Sequence, residues 1–124
     1  MLLEKTLTHE IIGAAIEVHR TLGPGLLESA YEHALCHELS LRSLAFRRQV
    51  ELLLAYKGVS IGPGLRMDIL VSDAVIVEVK AVEHSLPIHT SQLLTYLRLS
   101  GYRVGLLINF NVSVLKSGII RKVL

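Results

Sequence analysis

The sequence is poor in cysteine, in aromatic residues and in charge of one sign. The shortage of cysteine excludes two kinds of site, and the small net charge removes one indication of a nucleic-acid partner. A single cysteine, Cys36, allows no intrachain disulfide and no four-cysteine zinc site. Thirteen basic and eleven acidic residues give a net charge of +2, which is too weak to indicate a nucleic-acid partner by itself. Any such partner would have to be recognised at a local site.

The sequence also lacks an uncharged run long enough to span a membrane, although 51% of its residues are hydrophobic. The most apolar such run, between Arg103 and Lys116, has about a dozen residues and contains two asparagines, whereas a spanning helix needs about 20 residues. The N-terminus has no basic region followed by an apolar stretch and a small-residue cleavage site. We therefore expect a cytoplasmic protein that forms a single domain over residues 1–124.

Two glycine–proline–glycine clusters divide the chain, and the hydrophobic pattern predicts an α/β fold. Thr8 is the predicted N-cap of the first helix, and the cluster at Gly23-Pro24-Gly25 separates this helix from the second. The predicted helices cover residues 8–22, 26–43 and 88–100, and the predicted strands cover 47–56, 65–71, 74–81, 102–110 and 119–123. The resulting order, αα-βββ-α-ββ, indicates a mixed sheet flanked by helices.

Charged residues interrupt the otherwise apolar hairpin that the second and third strands form. Glu78 and Lys80 are two apart in a strand, so they project to one face about 7 Å apart along the backbone. Asp68 can share that face only if the hairpin is centred on Asp73 with an odd number of loop residues. A two-residue turn would instead place Asp68 opposite Val77.

Buried carboxylates at a sheet edge require a partner, and two partners are possible here. Converging carboxylates of Asp68 and Glu78 suit Mg²⁺, which keeps water and substrate phosphate oxygens as its other ligands. Such an ion would activate a bound water, and Lys80 could hold that water or stabilise the transition state. The alternative is a structural ion pair of Lys80 with one of the two acids.

Two more polar residues are predicted to face inward from the helices. Glu28 shares an arc of the second helix with Leu35 and Leu39, which is an apolar face. Gln92 shares an arc of the third helix with Ile88, Tyr96 and Leu99. Each residue also has a structural explanation of its own. The glutamate could be stabilised by the dipole at the helix N-terminus, and the glutamine could be bonded to a backbone carbonyl.

The remaining reactive residues fit ordinary structural roles better than catalytic ones. His33 and His37 are four apart on a helix, but they lie at its polar edge, which indicates a solvated face. His84 and His89 flank Pro87, and we expect Cys36 to be a small, partly or fully buried thiol. The arginines that could contact phosphate, or else are simply solvated, are Arg42, Arg47, Arg48, Arg98 and Arg103.

The motifs as a set resemble a known family. Gly25-Leu-Leu-Glu28-Ser-Ala-Tyr31 resembles the signature of the GxxExxY protein family. Asp68, Glu78-Val-Lys80 and Gln92-Leu-Leu-Thr-Tyr96 resemble, in order, the motifs of the PD-(D/E)xK nuclease superfamily. The likeness continues through the C-terminal segments at residues 105–110 and 118–121, and it departs where Met67 replaces the proline before the aspartate.

The resemblance implies a restriction-endonuclease-like core and a role for each motif residue. Asp68, Glu78 and the backbone carbonyl of Val79 would bind Mg²⁺ or Mn²⁺, and Lys80 would orient the attacking water. Glu28 would assist the binding of metal or water, and Gln92 would position the lysine or the phosphate. The function implied is metal-dependent hydrolysis of nucleic-acid phosphodiester bonds. The alternative is a regulatory module that binds nucleic acid or protein without cutting, and either function would draw specificity from a homodimer or a partner protein.

Overall fold

The computed structural model describes residues 4–124. Three helices and five strands follow one another in the predicted order, and a short 3₁₀ turn at Leu115–Gly118 precedes the last strand. The helices are α1 (Lys5–Leu22), α2 (Glu28–Leu41) and α3 (Pro87–Ser100), and the strands are β1 (Phe46–Tyr56), β2 (Val59–Val71), β3 (Val75–Lys80), β4 (Val104–Asn109) and β5 (Ile119–Val123).

The five strands form one mixed sheet in the order β1-β2-β3-β4-β5. The first three strands are antiparallel, β4 runs parallel to β3, and β5 returns antiparallel to β4. Helix α3 makes the crossover that a parallel pair requires. The predicted α/β class and the mixed sheet flanked by helices, as in the restriction-endonuclease-like fold, are confirmed.

Helices cover both faces of the sheet, so the protein has two apolar cores. One core lies between the sheet and the pair α1 and α2, and it includes Ile11, Leu35, Val77 and Ile108. The other lies between the sheet and α3, and it includes Ile76, Leu93, Leu97 and Leu107. All residues from Val75 to Val79 are buried, which explains why β3 is apolar at both parities.

Two predicted boundaries are wrong, for local reasons. Thr8 does not cap α1, because its amide already donates to the carbonyl of Glu4 at 2.8 Å within a helix that begins at Lys5. Strand β2 begins at Val59 rather than at residue 65, since the Gly62-Pro63-Gly64 cluster lies inside the strand. Register shifts between Leu52 and Leu53 and again after Leu54 accommodate it, as bulges do in long hairpins.

Candidate functional site

Strands β2 and β3 separate at Asp68 and Glu78. They pair only over residues 69–71 and 75–77, and the register centres on Asp73 in a three-residue loop, Ser72-Asp73-Ala74. The sequence condition for placing Asp68 across from Glu78 is therefore met. Beyond this point β2 pairs with β1 alone and β3 with β4 alone. We call the opening, with Asp68 on one side and Glu78 to Lys80 on the other, the fork.

Each of the two carboxylates accepts a hydrogen bond from a backbone amide across the fork. The amide of Asp68 donates to Glu78 Oε2 at 2.8 Å, and the amide of Val79 donates to Asp68 Oδ2 at 2.9 Å. Side-chain oxygens thus take the place of backbone acceptors where the ladder ends. Within residues 4–124 the other oxygens, Asp68 Oδ1 and Glu78 Oε1, accept no hydrogen bond and are not among the buried unpaired atoms. Both therefore keep some solvent-accessible surface.

The fork is a strongly anionic environment that favours an added positive charge. Glu78 is 4% exposed, and burial together with the neighbouring Asp68 charge raises its pKa from 4.5 to about 8. Burial also raises the pKa of Asp68, and the charges of Glu32 and Glu28 raise it further. A proton or a cation would relieve this repulsion.

Lys80 lies at the fork, and within residues 4–124 it forms no ion pair with a carboxylate. No nitrogen–oxygen distance of 4.0 Å or less joins it to an acid of the described chain, yet its charge lowers the pKa of Asp68 and of Glu78. The side chain is half-buried. The structural ion pair considered as an alternative is therefore absent from the described residues.

Glu28 reaches the end of β3. It is the first residue of α2 and lies on the arc of buried Leu35 and Leu39, as predicted, but it is exposed. Its Oε2 accepts a hydrogen bond from the amide of Ala81 at 3.2 Å. The carboxylate is thus fixed one residue beyond Lys80, because α2 begins beside the strand end.

Gln92 is exposed, and the prediction that it faces inward is wrong. The buried face of α3 is formed by Leu93, Tyr96 and Leu97, whereas Ile88 is 64% exposed. The helix is therefore rotated relative to the arc that the pattern suggested. Gln92 lines a shallow groove with other residues of α3, and no hydrogen bond of the described chain links it to the fork.

Three residues near the fork were missed by the sequence analysis. Glu32 is 6% exposed and lies one turn after Glu28, a spacing that could have indicated it. Tyr96 is buried, and its pKa is raised by burial and then by the charges of Glu78 and Asp68. Asn109, in register with Lys80, bonds both the amide and the carbonyl of Val82 at 3.1 and 3.0 Å.

The other candidate residues occupy structural or solvated positions. His33 and His37 are exposed, as predicted, and the described residues contain no group of three or more His, Cys, Asp or Glu arranged to hold a metal. Cys36 is buried, and burial raises the pKa of its thiol to about 11, so it is a poor nucleophile. His89 Nδ1 accepts from the Leu86 amide at 3.2 Å at the start of α3.

Most of the arginines considered for phosphate contact are bound within the chain. Arg48 pairs with buried Glu32 at 2.6 Å, and Arg47 bonds Asp73 at 3.3 Å. Arg42 bonds Glu38, and Arg103 bonds the carbonyl of Leu124. These four side chains therefore have intramolecular partners and are not simply solvated.

The donor set at the fork fits a hard divalent cation. Asp68 and Glu78 each present one open carboxylate oxygen, and Mg²⁺ is commonly held by one or two protein carboxylates with water and phosphate oxygens as the other ligands. The number of protein carboxylates is thus sufficient for Mg²⁺ bound together with a substrate, and because burial raises the pKa of both carboxyl groups, a bound cation would stabilise their ionised forms.

Comparison with known proteins gives one match. A family model described as the PD-(D/E)XK nuclease superfamily matches residues 5–122. Searches of the curated proteins and of the solved structures returned no match. Among the described residues, no helix combines the length and the apolar character needed to cross a bilayer.

Proposed function

Because the chain belongs to the PD-(D/E)XK nuclease superfamily, we propose that its fork hydrolyses phosphodiester bonds of nucleic acid with the help of a divalent cation. The observation that carries the proposal is that Asp68 and Glu78 each accept a backbone amide hydrogen bond across the fork with one carboxylate oxygen, which leaves the other oxygen of each without a hydrogen bond within residues 4–124. The resemblance of Gly25-Leu-Leu-Glu28-Ser-Ala-Tyr31 to the GxxExxY signature supports assigning the chain to that family within the superfamily.

Asp68, Glu78 and the carbonyl of Val79 are the proposed ligands of Mg²⁺ or Mn²⁺. When bound, such an ion lowers the pKa of a coordinated water and neutralises charge on the phosphate. The hydrogen bond from the Val79 amide supports a fixed orientation of Asp68, and the bonds of Asn109 to Val82 hold the chain that follows β3. The site is thus supported by rigid strands, which favours accurate positioning of ligands.

Lys80 is the proposed positioning group for the attacking water, with Glu28 beside it. The water oxygen attacks phosphorus and gives up a proton to solvent, the bond from phosphorus to the leaving oxygen breaks, and that oxygen takes up a proton from solvent. No covalent enzyme intermediate forms. The absence of an ion pair for Lys80 in the described chain supports this role, because its ammonium group remains available to water or phosphate. Gln92 would reach the phosphate only from the exposed side of α3.

A nuclease assay with matched variants tests this proposal. We expect single- or double-stranded DNA or RNA to be cleaved in the presence of Mg²⁺ or Mn²⁺, and Lys80→Ala to reduce the rate by about 100-fold or more, as does loss of one charge-stabilising donor in other enzymes. Lys57→Ala, at the exposed turn between β1 and β2, is the control and should cleave at the wild-type rate. Equal inactivity of wild type and Lys80→Ala on every substrate would refute cleavage.

Calorimetric titration with Mn²⁺ tests the cation site separately from cleavage. Asp68→Ala should abolish the binding heat, because it removes one of the two open carboxylate oxygens. Asp73→Ala removes a carboxylate from the hairpin loop of the same strands and should bind like wild type. A wild-type protein that gives no heat with Mn²⁺ would argue against the cation site.

A second candidate function is a binding module that keeps the fold without cutting. The observation in its favour is the engagement of Arg42, Arg47, Arg48 and Arg103 within the chain, because side chains bound to intramolecular partners are less available for the phosphate contacts on which nucleic-acid affinity depends. Under either function we propose that residues 1–124 act as a single domain. A homodimer or a protein partner would supply the remaining contacts, and nucleic-acid binding without cleavage would distinguish the module.

A further inference from the structure

In the paired strands β1 and β2, which we call the β1–β2 arm, side chains of the same parity switch from one face of the sheet to the other at the level of Asp68. Leu65 and Met67 belong to the core beneath α3, whereas Ile69 and Val71 belong to the core beneath α1 and α2. These residues are all odd-numbered, so they would share one face in a regular strand. The face therefore changes between Met67 and Ile69, which is the position of Asp68.

Strand β1 makes the same change, and Gln49 is where it occurs. Phe46 packs against the core of α1 and α2, whereas Val50 and Leu52 pack against the core of α3. Gln49 has a φ of 53°, in the left-handed region that residues other than glycine seldom adopt. We call this change of face, centred on Gln49 and Asp68, the crossing.

Gln49 and Asp68 lie across from each other in the ladder. The pairs on either side of them are Arg48 with Ile69 and Val50 with Met67, and the position between has no regular pair. The conformation of Gln49 is thus coupled to the strand position that directs the Asp68 carboxylate to the Val79 amide. If Gln49 had ordinary strand geometry, the change of face would be lost and the Asp68 carboxylate would no longer be directed to the Val79 amide.

Glu32, a residue of α2, forms hydrogen bonds to β1 at the crossing. Its Oε2 accepts from Nε and Nη2 of Arg48 at 3.1 and 2.6 Å. Nε2 of Gln49 donates to both carboxylate oxygens at 2.9 and 3.0 Å. With all four contacts directed to two successive residues of β1, the carboxylate is fully engaged and is not available as a cation ligand in this arrangement. Its burial makes the loss of these partners costly.

We propose that Glu32 is a positioning residue, which fixes the crossing by binding Arg48 and Gln49 and thereby orients the Asp68 carboxylate toward the fork. The inference goes beyond the motif residues, and it rests on the proposed function only where cation binding is the readout. The role is geometric. It therefore predicts that relieving the strain at Gln49 compensates for the loss of Glu32.

Mn²⁺ titration of full-length variants tests the compensation. Glu32→Gln should weaken Mn²⁺ binding at least about tenfold, an effect of the size seen when groups supporting metal ligands are removed. Glu32→Gln combined with Gln49→Gly should restore the affinity to within about threefold of wild type, because glycine adopts a positive φ without strain. Glu38→Gln, which removes another arginine-paired acid from α2, is the matched control and should bind normally.

Two other results would overturn the proposal. Weak binding that Gln49→Gly fails to restore would show that Glu32 acts through its charge rather than through the crossing. Unchanged Mn²⁺ affinity in Glu32→Gln, with only a lower melting temperature, would show a purely structural role. If Glu32→Gln does not fold, Gln49→Val decides instead, since a β-branched residue disfavours the left-handed conformation while the Glu32–Arg48 pair remains. It should lose affinity to the same extent, and normal binding by Gln49→Val would contradict the proposal.

A metal-independent measurement separates this inference from the proposed function. The amide of Val79 donates to Asp68, so its NMR chemical shift and hydrogen-exchange rate report the aspartate position without any cation. Glu32→Gln should increase the exchange rate of this amide at least about fivefold over that of the Leu106 amide in the core, and Gln49→Gly should reverse the increase. An unchanged Val79 amide would refute the positioning role even if the protein bound no Mn²⁺. A changed amide with no Mn²⁺ binding would leave the inference standing and refute the cation site.

Discussion

At the scale of single residues, the chemistry of the fork follows from the burial of two acids side by side. Glu78 and Asp68 are both partly removed from water, and each raises the energy of the other's charge. The hydrogen bonds that they accept from backbone amides offset only part of this cost. The pair is therefore suited to hold a proton or a cation, and the choice between them depends on pH.

The stability of the metal-free protein should reflect this competition. A carboxyl group with a pKa of about 8 in the folded state and an ordinary value of 4.5 binds its proton more tightly when folded. Its contribution is thus fully present below about pH 4.5 and is lost as the pH rises through about 8. We expect the free energy of unfolding, measured by urea titration, to fall over this window less in Glu78→Gln than in wild type.

Bound Mn²⁺ should counteract the fall in the free energy of unfolding as the pH rises. A bound cation stabilises the ionised pair, so a saturating concentration should raise the unfolding free energy more at about pH 8 than at about pH 5. Glu51→Gln, which changes an exposed glutamate on β1, serves as the control with a wild-type profile. Identical pH profiles for wild type and Glu78→Gln would contradict the assignment of this titration to the fork.

At the scale of the elements, Tyr31 joins the start of α2 to the turn before it. The ring is fully buried and stacks on Phe110, with 4.6 Å between ring centroids. Its hydroxyl donates to the carbonyl of Gly23 and accepts from the amide of Leu26 at 3.1 Å. In the Gly25–Glu28–Tyr31 string, the tyrosine thus fixes the turn and the glutamate contacts the end of β3.

Tyr31→Phe tests this connection. It keeps the stacked ring but removes the hydrogen bonds to the carbonyl of Gly23 and the amide of Leu26, which should reduce the free energy of unfolding by about 0.5–1.5 kcal/mol. Tyr56→Phe removes an exposed hydroxyl from the β1–β2 arm and should have little effect. Chemical denaturation of the three proteins provides the measurement, and equal stability of all three would rule out the role of the hydroxyl.

At the scale of the whole molecule, the two cores share one sheet and should unfold together. Every residue from Val75 to Val79 is buried between them, so neither core can lose its helices without exposing the same strand. Unfolding of α3 alone would expose the face of β3 that carries Ile76, and loss of α1 and α2 would expose the face that carries Val77. Cooperative unfolding is therefore the expected behaviour of the single domain proposed for residues 1–124.

Leu35→Ala and Leu97→Ala place one cavity in each core and test the coupling. Each should reduce the free energy of unfolding by about 2–5 kcal/mol, as large-to-small changes do at fully buried sites. Circular dichroism and tyrosine fluorescence should report the same single transition for both variants. Two separate transitions in either variant would show that the cores are independent.

The sequence by itself determined the order of elements and the condition under which Asp68 and Glu78 share a face. Alternation of apolar residues is local and has a period of two in a strand, so spacing alone required a hairpin centred on Asp73, and the structure has that hairpin rather than a two-residue turn. The same locality explains why the ends of α2, α3 and β5 were predicted within about two residues.

Only the tertiary structure decided which polar side chains reach the fork. Gln92 was assigned an inward face and is exposed, while Glu32 had no assigned role and is buried against Arg48 and Gln49. A helix has the same internal geometry whichever way it is rotated on the sheet, and the rotation is set by packing against distant residues. The crossing at Gln49 depends in the same way on two strands and a helix together, which no local pattern of residues encodes.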